Sequence, residues 1–238
     1  MIQEDPAQLG TILGVWAHPD DEAYLSAGIM AAAVDAGHRV VCVTATRGEA
    51  GSLDHERWPP ESLASVRESE LEACLAVLGV REHVWLDYPD GGCADVPPEE
   101  AVARVAEIVS DVQPDTVLTF GPDGMTWHPD HIAIGEWTTA AFQRVGPHGS
   151  RLLYATKTPE WGQEFLAAVG TDQVMMTDQA PPTTPESELA VRVCLADTAL
   201  ERKYKAMLCQ PSQVESLLQA MGEDLYRHLL ADEFFRLP

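Results

Sequence analysis

Short apolar runs alternate along the first two thirds of the chain with longer stretches whose apolar residues recur every three or four positions. Thr11-Ile12-Leu13-Gly14-Val15-Trp16-Ala17 is the first run, and Arg39 to Ala45, His83 to Leu86, Thr116 to Phe120 and Arg151 to Ala155 repeat the pattern. Unbroken apolar runs of this length predict strands buried on both faces. Between them lie four helical stretches. One is a small-residue segment from Ala23 to Ala36, closed by Gly37. A second is marked by Leu63, Val66, Leu71, Cys74, Leu75 and Leu78, and stops at Gly79. The others run from Glu99 to Asp111 and from Pro129 to about Arg144. Strands alternating with helices predict βαβ units, hence an α/β fold with a mostly parallel central sheet and helices on both faces. Beyond Lys157 the regularity fades. Ala180-Pro181-Pro182-Thr183-Thr184-Pro185 reads as a surface loop, Leu189 to Leu195 as one more strand, and the chain from Thr198 onward as a long helical segment. No repeat or linker divides it, so residues 1–238 are expected to form a single domain.

Composition narrows the classes. A hydrophobic share of 45% over 238 residues supports a full core and argues against intrinsic disorder. The 38 acidic residues outnumber the 15 Lys and Arg, for a formal charge of −23, and no basic run occurs. This argues against nucleic acid or anionic membrane as a natural partner. The acids are scattered, which fits a solvated surface. No basic and apolar leader opens the sequence, and no apolar stretch reaches the about 18–20 residues of a membrane span. The five cysteines are widely spaced without a C-x-x-C pair, which suits a reduced, cytoplasmic chain; Cys42 and Cys194 sit in apolar runs and read as core fillers. Neither G-x-G-x-x-G after the first strand nor G-x-x-x-x-G-K-[ST] anywhere is present, so dinucleotide and ATP chemistry are disfavoured.

Two histidine-proline-aspartate clusters carry the chemistry. Ala17-His18-Pro19-Asp20-Asp21-Glu22 follows the first strand, and His128-Pro129-Asp130-His131 follows the fourth. Each puts polar groups at a strand's C-terminal end, with proline in the first helical turn. In a doubly wound sheet these strands are commonly neighbours at the crevice where ligands bind. His18 and Asp21 from one loop and His131 from the other supply two imidazoles and a carboxylate, leaving a position for water, as in a catalytic zinc site. The same donors suit Fe(II), so spacing leaves both metals open. Asp20 is placed to act as general base toward a metal-activated water. His128, three residues before His131 on the same helical face, suits a developing oxyanion or a leaving amine. His38, His55, His83, His148 and His228 stand outside any such cluster and read as ordinary side chains.

A-H-P-D-D-E after the first strand, T-R-G-E-A-G after the second, R-x-x-E-L ahead of an L-G helix end, and G-P-D-G-M-T-x-H-P-D-H after the fourth resemble the LmbE-like (PIG-L) zinc N-deacetylases. The resemblance runs over residues 11–145, with a weaker echo in Lys203 to Gln213. It implies a Rossmann-like fold and removal of an N-acetyl group from an N-acetylglucosamine-type sugar or glycoconjugate, with release of acetate. Carried over by position, His18, Asp21 and His131 are zinc ligands and Asp20 the base. His128 is the oxyanion-side or acid group, and Asp130 orients it. Glu49, Arg67 and Asp90 fall at positions similar to substrate contacts; for Arg67 the competing expectation is a helix-surface ion pair with Glu70. Two departures stand out. Thr126 occupies a place where some members carry tyrosine, and Gln210 stands at a late histidine position, where any substrate contact is neutral. They keep two alternatives in view: an amidase acting on a thiol conjugate or larger glycoconjugate, and a non-catalytic sugar- or metal-binding member.

Overall fold

Each apolar run becomes a strand in a computed structural model, which describes residues 5–52, 54–170 and 175–238. The strands are β1 (Ile12–Trp16), β2 (Val40–Thr44), β3 (Glu82–Trp85), β4 (Thr116–Phe120), β5 (Arg151–Thr156), β6 (Val191–Cys194) and β7 (Asp232–Arg236). They form one sheet in the order β3-β2-β1-β4-β5-β7-β6. The first five run parallel, with Ile12 in register with Val40 on one side and Thr116 on the other. Every residue of β1, β2 and β4 is buried, as expected for strands covered on both faces.

The helices are α1 (Asp21–Asp35), α2 (Pro60–Leu78), α3 (Pro98–Val112), the single turn α4 (Gly124–Trp127), α5 (Pro129–Val145), α6 (Pro159–Val169), α7 (Asp197–Leu208), α8 (Pro211–Met221) and α9 (Glu223–Leu230). Proline opens α2, α3, α5, α6 and α8, where its missing N–H costs nothing. Gly79 ends α2 in the left-handed conformation. α1, α2 and α7 pack together, and α3 packs on α5. The chain runs outward from β1 to β3 through α1 and α2, then back to β4 through α3, a reversal that places helix groups on opposite faces when crossovers take their usual right hand. Among the described residues no helix is long and apolar enough to cross a membrane.

The C-terminal third differs from expectation. The segment after Thr198 is three helices, interrupted at Gln210-Pro211 and at Gly222 (φ 76°), and is followed by a strand. β7 enters antiparallel between β5 and β6. Its Phe234 and Phe235 are buried, and so is the Glu233 carboxylate between them and α1. Glu233 accepts the Gly28 and Ile29 N–H groups at 2.7 and 2.9 Å and pairs with Lys203 at 2.8 Å; Lys203 also donates to the Tyr24 carbonyl at 3.0 Å. A charged residue amid a helical run therefore holds a strand inside the sheet. α6 was not visible as a pattern: its start is a Thr158 side chain accepting the Trp161 N–H at 3.3 Å. Cys42 is buried as expected, but Cys194, at the end of β6, is exposed.

Candidate active site

β1 and β4 are direct neighbours, so the loops leaving their C-terminal ends share one rim. Both loops are strained. Asp20 has φ 115°, and Met125 and Trp127 have φ 66° and 61°. L-residues hold such angles only when their surroundings over-determine them, a situation common at functional sites. For Asp20 those surroundings are Glu22, whose Oε2 accepts the Asp20 N–H at 3.0 Å, and Gln210, whose Nε2 donates to Glu22 Oε1 at 2.7 Å. Glu22 and Gln210 are fully buried. Burial pushes the Glu22 carboxyl up to about 7. Gln210 is thus a brace behind Asp20, not the neutral substrate contact anticipated from its position. No sequence spacing signalled this, because the partners are 188 residues apart.

Three donor side chains converge at this rim. His18 Nδ1 and His131 Nε2 are 3.1 Å apart, and Asp21 lies 3.6 Å from His131 through Oδ1 and 3.9 Å from His18 through Oδ2. Hydrogen bonds on the far sides assign the tautomers. His131 Nδ1 donates to the Gly124 carbonyl at 2.9 Å, so its Nε2 carries a lone pair. His18 Nε2 faces Asp90 at 3.1 Å and Asp130 at 3.2 Å, so its Nδ1 is left to offer one. Asp21 is aimed by the Ala17 and His18 N–H groups, both given to Oδ2. His128 is different. Its Nδ1 accepts the Asp130 N–H at 3.1 Å, so in the neutral ring Nε2 bears the hydrogen and serves as a donor.

Two ring nitrogens and a carboxylate facing one point form an arrangement that could hold a cation. The charge balance agrees. Burial opposes a charge on His18, but Asp130, Asp90 and Asp21 outweigh it and raise its pKa to about 10. Burial, with the His18 charge adding, pushes His131 down to about 4. A proton on His18 thus stands where a divalent ion would satisfy all three donors, and the imidazole and carboxylate donors fit zinc or iron chemistry. His18, His128 and His131 also approach one another closely enough to share an ion, but the protonated His128 Nε2 argues for His18, Asp21 and His131.

The other expected residues fall around this centre in different ways. Asp20 keeps 21% of its side chain exposed and lines a cavity of roughly 350 Å³ with His18, Asp21, His128 and His131. Burial raises its carboxyl to about 8, with Asp21 and Glu22 adding and Arg67 opposing. A bound dication would reverse that logic. His128 is lowered by burial and by the charge on His18. Asp130 does not orient His128 through its carboxylate. That group is fully buried against His18 and the Gly91 and Cys93 N–H groups, at 2.8 and 3.1 Å for the latter two, and only its main chain reaches His128.

Arg67 is buried and not on the helix surface. It donates to the carbonyls of Gly48 and Pro19 and lies 3.5 Å from Asp20, while Glu70 instead accepts from Ser212. Gly48 must be glycine here: it has φ 65°, and a Cβ would sit 2.0 Å from the guanidinium. Asp90 binds His18 and the Ala50 N–H at 2.8 Å. Glu49 accepts the Asp90 N–H at 2.9 Å, and its second oxygen is buried without a partner. Arg67 and Asp90 line the cavity, with Glu49 behind them. Thr126 also lines it, as do the apolar Leu25, Trp161, Phe165, Leu217 and Leu230.

Fold and site together define an enzyme class: a mostly parallel α/β hydrolase with a histidine–carboxylate centre at the C-terminal ends of two adjacent strands. Residues 13–142 match the family described as PIG-L, GlcNAc-PI de-N-acetylase, and the chain belongs to that family. A 1D-myo-inositol 2-acetamido-2-deoxy-α-D-glucopyranoside deacetylase from Nakamurella multipartita is 30% identical over 99% of this chain and 90% of its own length. One of the same name from Kineococcus radiotolerans is 35% identical over 62% of this chain, which spans only 51% of that protein. N,N′-diacetylchitobiose deacetylase from Pyrococcus horikoshii has the same fold, with a TM-score of 0.69 at 21% identity over 100% of this chain and 87% of its own.

Proposed function

We propose that this chain is a zinc-dependent N-deacetylase that hydrolyses the acetamide of an N-acetylglucosamine-type sugar or glycoconjugate, releasing acetate and a free amine. The observation that carries the reading is the hydrogen-bond pattern: His18 Nδ1, His131 Nε2 and the Asp21 carboxylate converge around a single proton that an ion would displace, while His128 keeps a hydrogen to donate. The relatives named for deacetylation of an N-acetylglucosaminyl-inositol support the substrate class. His18, Asp21 and His131 would hold the ion, which when bound supplies Lewis acidity and makes a water acidic near neutral pH.

The remaining work falls to the chain's own groups. Asp20, open to the cavity, takes the proton of the attacking water. His128 donates its Nε2–H to the carbonyl oxygen as charge develops there. The proton held on Asp20 then passes to the nitrogen, and the C–N bond breaks. Asp90 and Asp130 fix the His18 ring, a role comparable to the outer carboxylates of histidine metal sites. Arg67 holds the Pro19 carbonyl and so the position of Asp20.

Adding Zn²⁺ back to metal-free protein is expected to restore acetate release from N-acetylglucosaminyl-inositol; cleavage that chelation leaves untouched overturns the mechanism. A second reading, an amidase acting on a thiol conjugate or larger glycoconjugate, is favoured by Thr126 and the apolar side of the cavity. Relative rates on small N-acetyl sugars and bulky amides separate the two. A non-catalytic member would bind sugar and release no acetate. The free cysteines agree with a cytoplasmic setting.

A further inference from the structure

Lys157 follows β5 directly and lines the same cavity as the donor cluster, although the reaction above does not use it. It is 8% exposed. The chain has three lysines. Lys203 is closed on Glu233 and Lys205 pairs with Glu201, whereas Lys157 has no carboxylate partner or side-chain hydrogen bond among the described residues. Its ammonium instead lies 4.5 Å from the centre of the Trp161 ring and 5.8 Å from that of Phe234. Trp161 is fixed there: its indole N–H donates to the Leu229 carbonyl at 2.9 Å, and Phe165 stacks on it at 4.9 Å. The Lys157 carbonyl accepts the Thr184 N–H at 2.9 Å, which pins the backbone.

The charges that face Lys157 are already committed. Lys203 comes from α7, and Asp232 and Glu233 come from β7. Glu233 serves Lys203 and α1, while Asp232 pairs with Arg192 at 3.3 Å. Burial, with Lys203 adding, therefore pushes the Lys157 amine down to about 7. A lysine needed only for packing would be better served by an apolar side chain, which bears no desolvation cost. An ammonium in a largely apolar cavity, with only aromatic faces as partners, gains most from an incoming anion.

We propose that Lys157 is a specificity-determining residue that receives an anionic group, phosphate or carboxylate, on the part of the substrate away from the acetamide. The inference rests on the deacetylase reading, and it departs from the neutral inositol glycoside named for the relatives. The substrate class becomes an acidic N-acetyl amino sugar whose anion meets Lys157 while its acetamide meets His128 and the donor cluster.

The test compares zinc-loaded wild type, Lys157→Met and Lys157→Arg on N-acetylglucosamine, its 1- and 6-phosphates, and N-acetylmuramic acid. Wild type should favour at least one acidic sugar by about tenfold or more in kcat/KM, the discrimination expected of a desolvated charge pair. In Lys157→Met that acidic-to-neutral ratio should fall at least about tenfold, mainly through KM, and Lys157→Arg should recover most of it. The phosphate and carboxylate arms distinguish the two anions. A wild type without acidic preference, or equal losses on acidic and neutral sugars in Lys157→Met, overturns the proposal. If wild type cleaves neither these sugars nor N-acetylglucosaminyl-inositol, the deacetylase reading fails instead, and calorimetry on the same sugars judges Lys157 separately. Binding of an acidic sugar to wild type with proton uptake near pH 8, lost in Lys157→Met, supports the proposal; binding that is absent or unchanged by the substitution overturns it.

Discussion

At the scale of single residues, the centre divides its labour by where hydrogens sit. His18 and His131 each spend one ring nitrogen on a fixed acceptor, and His128 spends one on a fixed donor. Identical side chains are thus left with opposite hydrogen-bonding capacity. Asp20→Asn should keep metal content and lose about 10²- to 10⁴-fold in kcat, read by acetate release alongside metal analysis. Full activity in that variant would remove Asp20 as the base. His128→Gln should likewise keep metal and lose about 10²- to 10³-fold in kcat. Asp130→Ala should instead weaken metal affinity about 10- to 100-fold, measured by competition with a chelator, because it removes support from His18. The residue types were legible because two short motifs crowd unusual side chains together. Their division of labour was not: which nitrogen keeps its hydrogen depends on Gly124, Asp90 and the Asp130 main chain, brought in by folding.

At the scale of elements, β1, β2 and β4 were visible because burial on both faces leaves them mostly apolar, whereas β3, at the sheet edge, was legible only from Val84-Trp85-Leu86. β7 was not, because it carries Glu233, which a sequence pattern reads as solvent-facing. The pair it makes with Lys203 is fully buried. Glu233→Gln leaves Lys203 uncompensated and should cost about 3–5 kcal/mol in urea unfolding, the range for breaking a buried pair from one side. An unchanged midpoint would show that the pair does not hold β7. On β3, His83 Nε2 lies 3.0 Å from Thr44 Oγ1 on β2, and burial, with Arg47 adding, pushes this ring down to about 4. Between that value and the ordinary 6.5 the unfolded chain binds the extra proton. Its contribution to stability is therefore full above pH 6.5 and is lost as pH falls toward 4. His83→Gln should flatten the fall of Tm across that window.

At the scale of the whole molecule, a formal charge of −23 said little about function, since most of the 38 acids are surface groups. What mattered was topology. β1 and β4 lie side by side only because the chain turns back after β3, and that reversal joins motifs about 110 residues apart. An ion held at this junction ties the two halves of the sheet together. Zn²⁺ at 100 times its Kd should stabilise the fold by about 2.7 kcal/mol, seen as a raised urea midpoint against a chelated sample and abolished in His131→Ala.

The place of β7 bears on how the protein is made. Among the described residues β6 pairs only with β7, which is separated from it in the chain by 37 residues and lies between it and β5. On the ribosome, the five parallel strands with every proposed metal donor emerge first and can begin to fold. β6 must then wait with an unpaired edge until α7, α8, α9 and residues 232–236 have been added. Such an edge invites pairing with another chain. The donor cluster is thus available early, whereas the wall that would choose a substrate closes late, and crowded synthesis should trap molecules at that interval.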